Sequence, residues 1–170
     1  NNVAVGSHAG ETTSSGAANT YLGTYAGYSN STSSNTTALG YQSLYNNTAA
    51  ANTAAGYQSL YTNSSGARNT GLGYQALYTN DTANDSTAVG YQALNASTGA
   101  RNTGLGSNTL AASSSAADNT ALGYQALNAN TGASNTAVGS SALSANSSGV
   151  GNAAVGYQAG NGVTTGNYTI

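Results

Sequence analysis

The residues able to do chemistry are few and scattered. His8 is the only histidine, and Glu11 is the one acid close to it in the chain. A metal site of ordinary type needs more ligands than this pair offers, so His8 reads as a surface residue of a terminal segment. Asp81 and Asp85 share one loop, Tyr78-Thr-Asn-Asp-Thr-Ala-Asn-Asp85. Paired carboxylates serve acid–base work or calcium binding. The Gly-Gly-x-Gly-x-Asp pattern of calcium β-rolls is absent, which favours a solvated loop. Arg68 and Arg101 each precede an asparagine of a recurring phrase, where they aid solubility or pair with a neighbouring carboxylate. Catalysis asks for a converging nucleophile, base and orienter, and one histidine with four dispersed acids (the fourth is Asp118) does not supply them. The expectation is no enzyme, no metal and no cofactor.

Tyrosine and asparagine carry the other chemical readings. Tyr41, Tyr57, Tyr74, Tyr91, Tyr124 and Tyr157 each follow a recurring glycine, and Tyr45, Tyr61 and Tyr78 form a second column. Stacked aromatic ladders that stiffen a strand array are the favoured reading. A sugar- or surface-binding stripe is the functional alternative. Asn-x-Ser/Thr sequons fall at Asn30, Asn35, Asn46, Asn63, Asn80, Asn84, Asn95, Asn146 and Asn167. Several lie in expected loops, which makes glycan decoration a hypothesis for a source that glycosylates secreted proteins.

What must position these residues is a repeat. Glycine recurs at near-constant intervals, at Gly6, Gly23, Gly40, Gly56, Gly73, Gly90, Gly106, Gly123, Gly139 and Gly156. The phrase around it is clearest in Asn119-Thr-Ala-Leu-Gly-Tyr-Gln-Ala-Leu127. Ten copies fill residues 1–170 as a single array with no separate domain. A 17-17-16 triplet of steps recurs across most of the chain, with a one-residue slip before Gly139.

The columns suggest strands. Thr20, Thr37, Thr53, Thr70, Thr87, Thr103, Thr120 and Thr136 stand three places before the glycine and carry the β-branched bias of a strand. Directly before the glycine comes an apolar column, Val5, Leu22, Leu39, Ala55, Leu72, Val89, Leu105, Leu122, Val138 and Val155, read as core. Between these lies a column of Ala or Gly, broken by Tyr21, which suggests close packing against another chain. A leucine column follows four places after the glycine: Leu44, Leu60, Leu77, Leu94, Leu110, Leu127 and Leu143, with Gly10, Gly27 and Gly160 in the outer copies. A bend at the glycine could turn both aliphatic columns into one core; otherwise the strand is buried on both faces. Asn2, Asn19, Asn52, Asn69, Asn102, Asn119, Asn135 and Asn152 open the phrase. Stacked asparagine amides can donate and accept along such a ladder, and asparagine tolerates a left-handed corner. The remaining half of each copy is rich in turn formers. The expected fold is all-β: a parallel β-solenoid of about ten 16–17-residue coils.

Composition agrees. Charge is 4% of residues against roughly 25% in ordinary domains, and Cys, Met, Trp, Phe and Pro are absent. Fixed aliphatic phase argues against disorder. A net charge of −2 and no basic stripe exclude nucleic acid as an expected partner, and no apolar run is long enough for a membrane helix. Two aliphatic side chains per coil are little burial for ordering a whole repeat, so neighbours are expected: a homo-oligomer, most simply a trimer. The opening Asn2-Val-Ala-Val-Gly6 and the closing Gly166-Asn-Tyr-Thr-Ile170 both read as coils in mid-array, so the array is expected to continue, covalently or by end-to-end stacking.

The phrase at Asn119–Leu127, with variants at Asn69–Leu77 and Ser86–Leu94, resembles the repeats of bacterial and phage tail-fibre-domain proteins, whose ends often carry an endosialidase-type intramolecular chaperone. It is more distantly similar to head repeats of trimeric autotransporter adhesins, which form a left-handed parallel β-roll around a threefold axis; that repeat is shorter than the one in this chain. The resemblance implies a trimeric extracellular shaft or adhesin. The expected function is therefore a structural component of an extracellular fibre. The alternatives are a module binding carbohydrate or surface glycans and, less favoured, an ice-binding protein. If the strand is straight, its threonines share a face with the apolar core column, which points the hydroxyls inward and weakens the ice reading.

Overall fold

A computed structural model describes residues 1–169; Ile170, the last residue of the closing coil start, lies outside them. In chain order the strands are β1 Val3–Val5, β2 Thr20–Leu22, β3 Thr37–Leu39, β4 Asn46–Asn47, β5 Thr53–Ala55, β6 Thr62–Asn63, β7 Thr70–Leu72, β8 Thr87–Val89, β9 Thr103–Leu105, β10 Thr120–Leu122, β11 Thr136–Val138 and β12 Ala153–Val155. The three-residue strands form one ten-stranded sheet in sequence order, and β4 pairs with β6 on another wall. Every pairing is parallel and in repeat register: Thr120 lies beside Thr103 and Thr136, and Ala121 beside Gly104 and Ala137. This is a parallel β-solenoid in which each turn takes one copy of the phrase. We number the coils 1 to 10 by their glycines, from Gly6 to Gly156.

The glycine column makes the first corner. Its φ angles run from +124° to +135°, a region open in practice only to glycine. A second demand acts at the same place. A Cβ on Gly56 would lie 2.4 Å from the carbonyl oxygen of Gly73 in the next coil. The backbone stays paired through the bend, with Gly73 N–H donating to Ala55 O at 2.8 Å. Two residues with φ near +50° follow, as at Gln75 and Leu77, and a third lies just before the asparagine, as at Arg68. The asparagine itself is not the left-handed residue. The sequence expectation places the tight backbone one position too late.

Which side chains face inward corrects the reading of the columns. The apolar column before the glycine is not core: Leu22 is 51% exposed, Leu105 41% and Val5 57%. Strand side chains alternate, so the threonine and the Leu/Val residue share the outer face while the small residue between them points inward. Ala38, Ala54, Ala88, Ala121 and Ala137 are fully buried in one core with Leu44, Leu60, Leu94, Leu127 and Leu143. The small column therefore packs on the leucines of its own solenoid. It is not an interface with another chain. Size is limited there because the coil is thin: one alanine methyl and one leucine fill the gap between opposite walls.

Asparagine holds the other half of each coil. Along the first column the side chain clips the next coil's backbone: Asn69 N–H donates to Asn52 Oδ1 at 2.8 Å, and Asn52 Nδ2 donates to Gly66 O at 2.8 Å. The same pattern recurs at Asn19, Asn102, Asn135 and Asn152. Asn119 keeps the acceptor half, taking Asn135 N–H, but its Nδ2 turns back to Asn102 Oδ1 at 3.3 Å and Ala117 O at 3.1 Å. Amide-to-amide stacking is the main contact of a second, buried column. Asn63 Nδ2 donates to Asn47 Oδ1 at 2.7 Å, and Asn80 Nδ2 to Asn63 Oδ1 at 2.8 Å. Asn146 donates to Asn130 at 2.9 Å. Sequence reading misses this column because its members sit in turn-rich stretches and read as loops and sequons.

Candidate functional site: the tyrosine and glutamine ladders

The turn after each glycine projects one side chain outward and sets the next beside it. In coils 3 to 6 these are tyrosine and glutamine. The rings of Tyr41, Tyr57, Tyr74 and Tyr91 stack with centroids 5.6, 5.0 and 5.2 Å apart and planes within 12°. Beside them, Gln58 Nε2 donates to Gln42 Oε1 at 2.8 Å, Gln75 to Gln58 at 3.0 Å and Gln92 to Gln75 at 3.0 Å. A second aromatic ladder joins Tyr28, Tyr45, Tyr61 and Tyr78, with spacings of 5.0, 5.1 and 5.2 Å. Tyr28 belongs to that ladder although sequence reading begins the column at Tyr45. Tyr25 stacks on His8 at 4.8 Å and meets Tyr28 and Tyr41 edge-on, closing the cluster at the first coils.

This geometry bears on the sugar reading. A pyranose binds an aromatic by its face. Inside the ladders each face is already covered by the next ring, leaving edges and hydroxyls to solvent. The unbroken ladders therefore offer no free ring face. The packing is felt in the phenols: burial, followed by the neighbouring rings, raises Tyr61, and the Glu11 carboxylate is the main cause that raises Tyr28.

Four of the charged residues form two pairs between adjacent coils. Arg68 holds Asp85 through Nε and Nη2 at 2.6 and 2.9 Å, and Arg101 holds Asp118 at 2.6 and 2.8 Å. Each bidentate pair lowers its aspartate below the ordinary carboxylate value. Asp85 is thus occupied by Arg68, while Asp81 accepts from Ser64 Oγ one coil back. His8 contacts Glu11 at the surface. No group of three potential metal ligands occurs among the described residues.

The sequons divide by burial. Asn30, Asn63, Asn80 and Asn146 are fully buried in the inner amide column, so a glycan there would require opening the coil. That part of the expectation is corrected: the motif fits, but the side chain points into the solenoid. Asn35, Asn46 and Asn167 are exposed, and Asn84 and Asn95 half-buried. The threonine column reverses in the same way. It shares a face with the Leu/Val column, as expected, but that face is the outer one.

No protein-family model, curated protein or solved structure matches the chain. No helix among the described residues is long and apolar enough to cross a membrane.

Proposed function

We propose that this chain is a non-catalytic structural segment of an extracellular fibre, a shaft built to be continuous along its axis. The observation that supports this is the agreement of every wall. Backbone, asparagine and leucine ladders couple successive coils, and tyrosine and glutamine ladders add further rows through coils 3 to 6. Such coupling makes bending or local opening break several rows at once. Extracellular placement rests on the resemblance to tail-fibre and adhesin repeats.

Self-association belongs to the same proposal, through a different face from the one the small residues suggest. The outer face of the ten-stranded sheet carries mainly threonines and a Val/Leu/Ala column, with no charge within those columns. An uncharged, apolar row that long is what packing against further copies of the chain would use. The resemblance favours three copies. Electron microscopy of purified chain tests the shaft: uniform rods with a repeat of about 4.8 Å support it, and discrete globular monomers overturn it. Mass photometry of Leu72→Glu with Leu105→Glu tests the face. The variant is expected to be monomeric with an unchanged β signal.

The outward threonines favour a second reading, binding to an ordered water lattice by this flat face. A null result in ice-recrystallisation inhibition removes it.

A further inference from the structure

The Tyr41–Tyr91 ladder and the glutamine ladder stop at the same coil, and the stop is a change of side-chain length. From coil 6 onward the ring position reads Tyr91, Ser107, Tyr124, Ser140, Tyr157, and the amide position reads Gln92, Asn108, Gln125, Ser141, Gln158. Coil 7 thus loses the ring and shortens the amide, and coil 9 loses both. Each loss leaves a notch one coil wide. The first has Tyr91 and Gln92 on one wall, Tyr124 and Gln125 on the other, and Ser107 and Asn108 as its floor. The second repeats this between Tyr124 and Tyr157 over Ser140 and Ser141.

We propose that these notches each receive one pyranose ring of a neutral saccharide. The protein itself shows what size of occupant fits. In coils 3 to 6 the same position holds a ring 5.0–5.6 Å from its neighbours. Tyr91 and Tyr124 are two coils apart, about 9.6 Å at the usual strand spacing, which seats one ring in contact with both. The notch faces are uncovered where the ladder faces are not. Tyr57, between two rings, is 41% exposed; Tyr124, with no ring partner among the described residues, is 52% exposed.

The rim selects saccharide over a plain aromatic. Gln92 donates to Gln75, but its Oε1 receives nothing from Asn108, whose Nδ2 donates to Ser107 Oγ at 3.2 Å. Gln125 has no side-chain hydrogen bond among the described residues. A ring with C–H faces and hydroxyl edges satisfies both the tyrosine walls and these amides. No charged residue occupies either column in coils 6 to 10, so the occupant is neutral and its binding insensitive to salt. The stacked planes from Tyr41 to Tyr91 lie across the solenoid axis, so a polysaccharide seated on Tyr91 crosses the solenoid at the notch and does not run along it.

The test is a titration of the full chain with cellohexaose, followed by the ring NMR signals of the tyrosines. Tyr91, Tyr124 and Tyr157 are expected to shift at millimolar sugar while Tyr57 and Tyr74 stay still. Ser107→Tyr with Ser140→Tyr continues the ladder and is expected to weaken binding at least tenfold. Tyr124→Ala removes the wall common to both notches and is expected to do the same. No shift at 20 mM sugar, equal shifts at all tyrosines, or binding retained in both variants would overturn the proposal. Shifts with 4-nitrophenol but not with cellohexaose would also overturn it, by making the notch an aryl slot.

Discussion

The ring of Tyr21 stands in the space left open by Gly27. A Cβ on Gly27 would lie 2.3 Å from Tyr21 Cδ1, and one on Gly10, in the coil before, 2.5 Å from Tyr21 Cδ2. Both glycines occupy leucine positions, and Tyr21 occupies an alanine position. One large side chain from the strand wall thus replaces two leucines from the opposite wall, and its hydroxyl reaches the inner amide column at Asn30.

This exchange predicts a coupled pair. Tyr21→Ala empties the core of coils 1 and 2 and is expected to cost about 3–5 kcal/mol, the range for large aromatic truncations. Gly27→Leu alone clashes with the ring and is also expected to destabilise. The double variant restores the alanine–leucine pairing of coil 3 and is expected to recover stability, with a coupling of about 0.5–3 kcal/mol. Hydrogen exchange of coils 1 to 3 is the readout, because loss in a solenoid is local.

The fold was legible because its signal is periodic, and what escaped was direction. Leu39 and Leu44 are equally apolar and five places apart, yet Leu44 lies in the core and Leu39 on the outer face. Hydrophobicity cannot distinguish them. The choice is made by the backbone between them, by Gly40 at φ +124° and Gln42 at +52°. The better clue is size. Ala38 is small because it faces inward across a thin coil, and in the sequence the same smallness reads equally well as an interchain contact. The ladders of the candidate site were legible as columns, but their breaks acquire meaning only when Ser107 is seen between two tyrosine rings.

A glycine substitution separates the two demands at the corner. Gly73→Ala meets both the φ of +133° and the carbonyl oxygen of Gly90 at 2.4 Å. It is expected to cost about 4 kcal/mol or more. Gly156→Ala meets a similar φ, but its nearest neighbour is the Ala159 methyl at 3.9 Å. Thermal unfolding should show a clearly smaller loss there. Equal losses would mean that the backbone angle alone decides.

The inner amide column offers a stabilising change. Asn80 Oδ1 is buried without a partner because the next coil carries Ser97, too short to reach it. Ser97→Asn places an Nδ2 donor where Asn80 itself donates to Asn63, and is expected to gain about 1 kcal/mol in denaturant unfolding. Asn63→Ala breaks the same row from within and is expected to lose about 1–3 kcal/mol.

The ionisable groups set the pH limits of the solenoid. Arg68 and Arg101 lower Asp85 and Asp118 in the folded state. Their contribution is therefore present above the unfolded aspartate value of about 3.9 and is lost as pH falls through the lower folded values. Tyr61 and Tyr28 are raised, so the folded chain holds those protons longer than the unfolded chain. Stability is therefore expected to decline as pH rises from about 10, the unfolded tyrosine value, towards the higher folded values. Asp85→Asn with Asp118→Asn is expected to flatten the acid limb and leave the alkaline limb unchanged. An acid limb unchanged in that double variant would contradict this assignment.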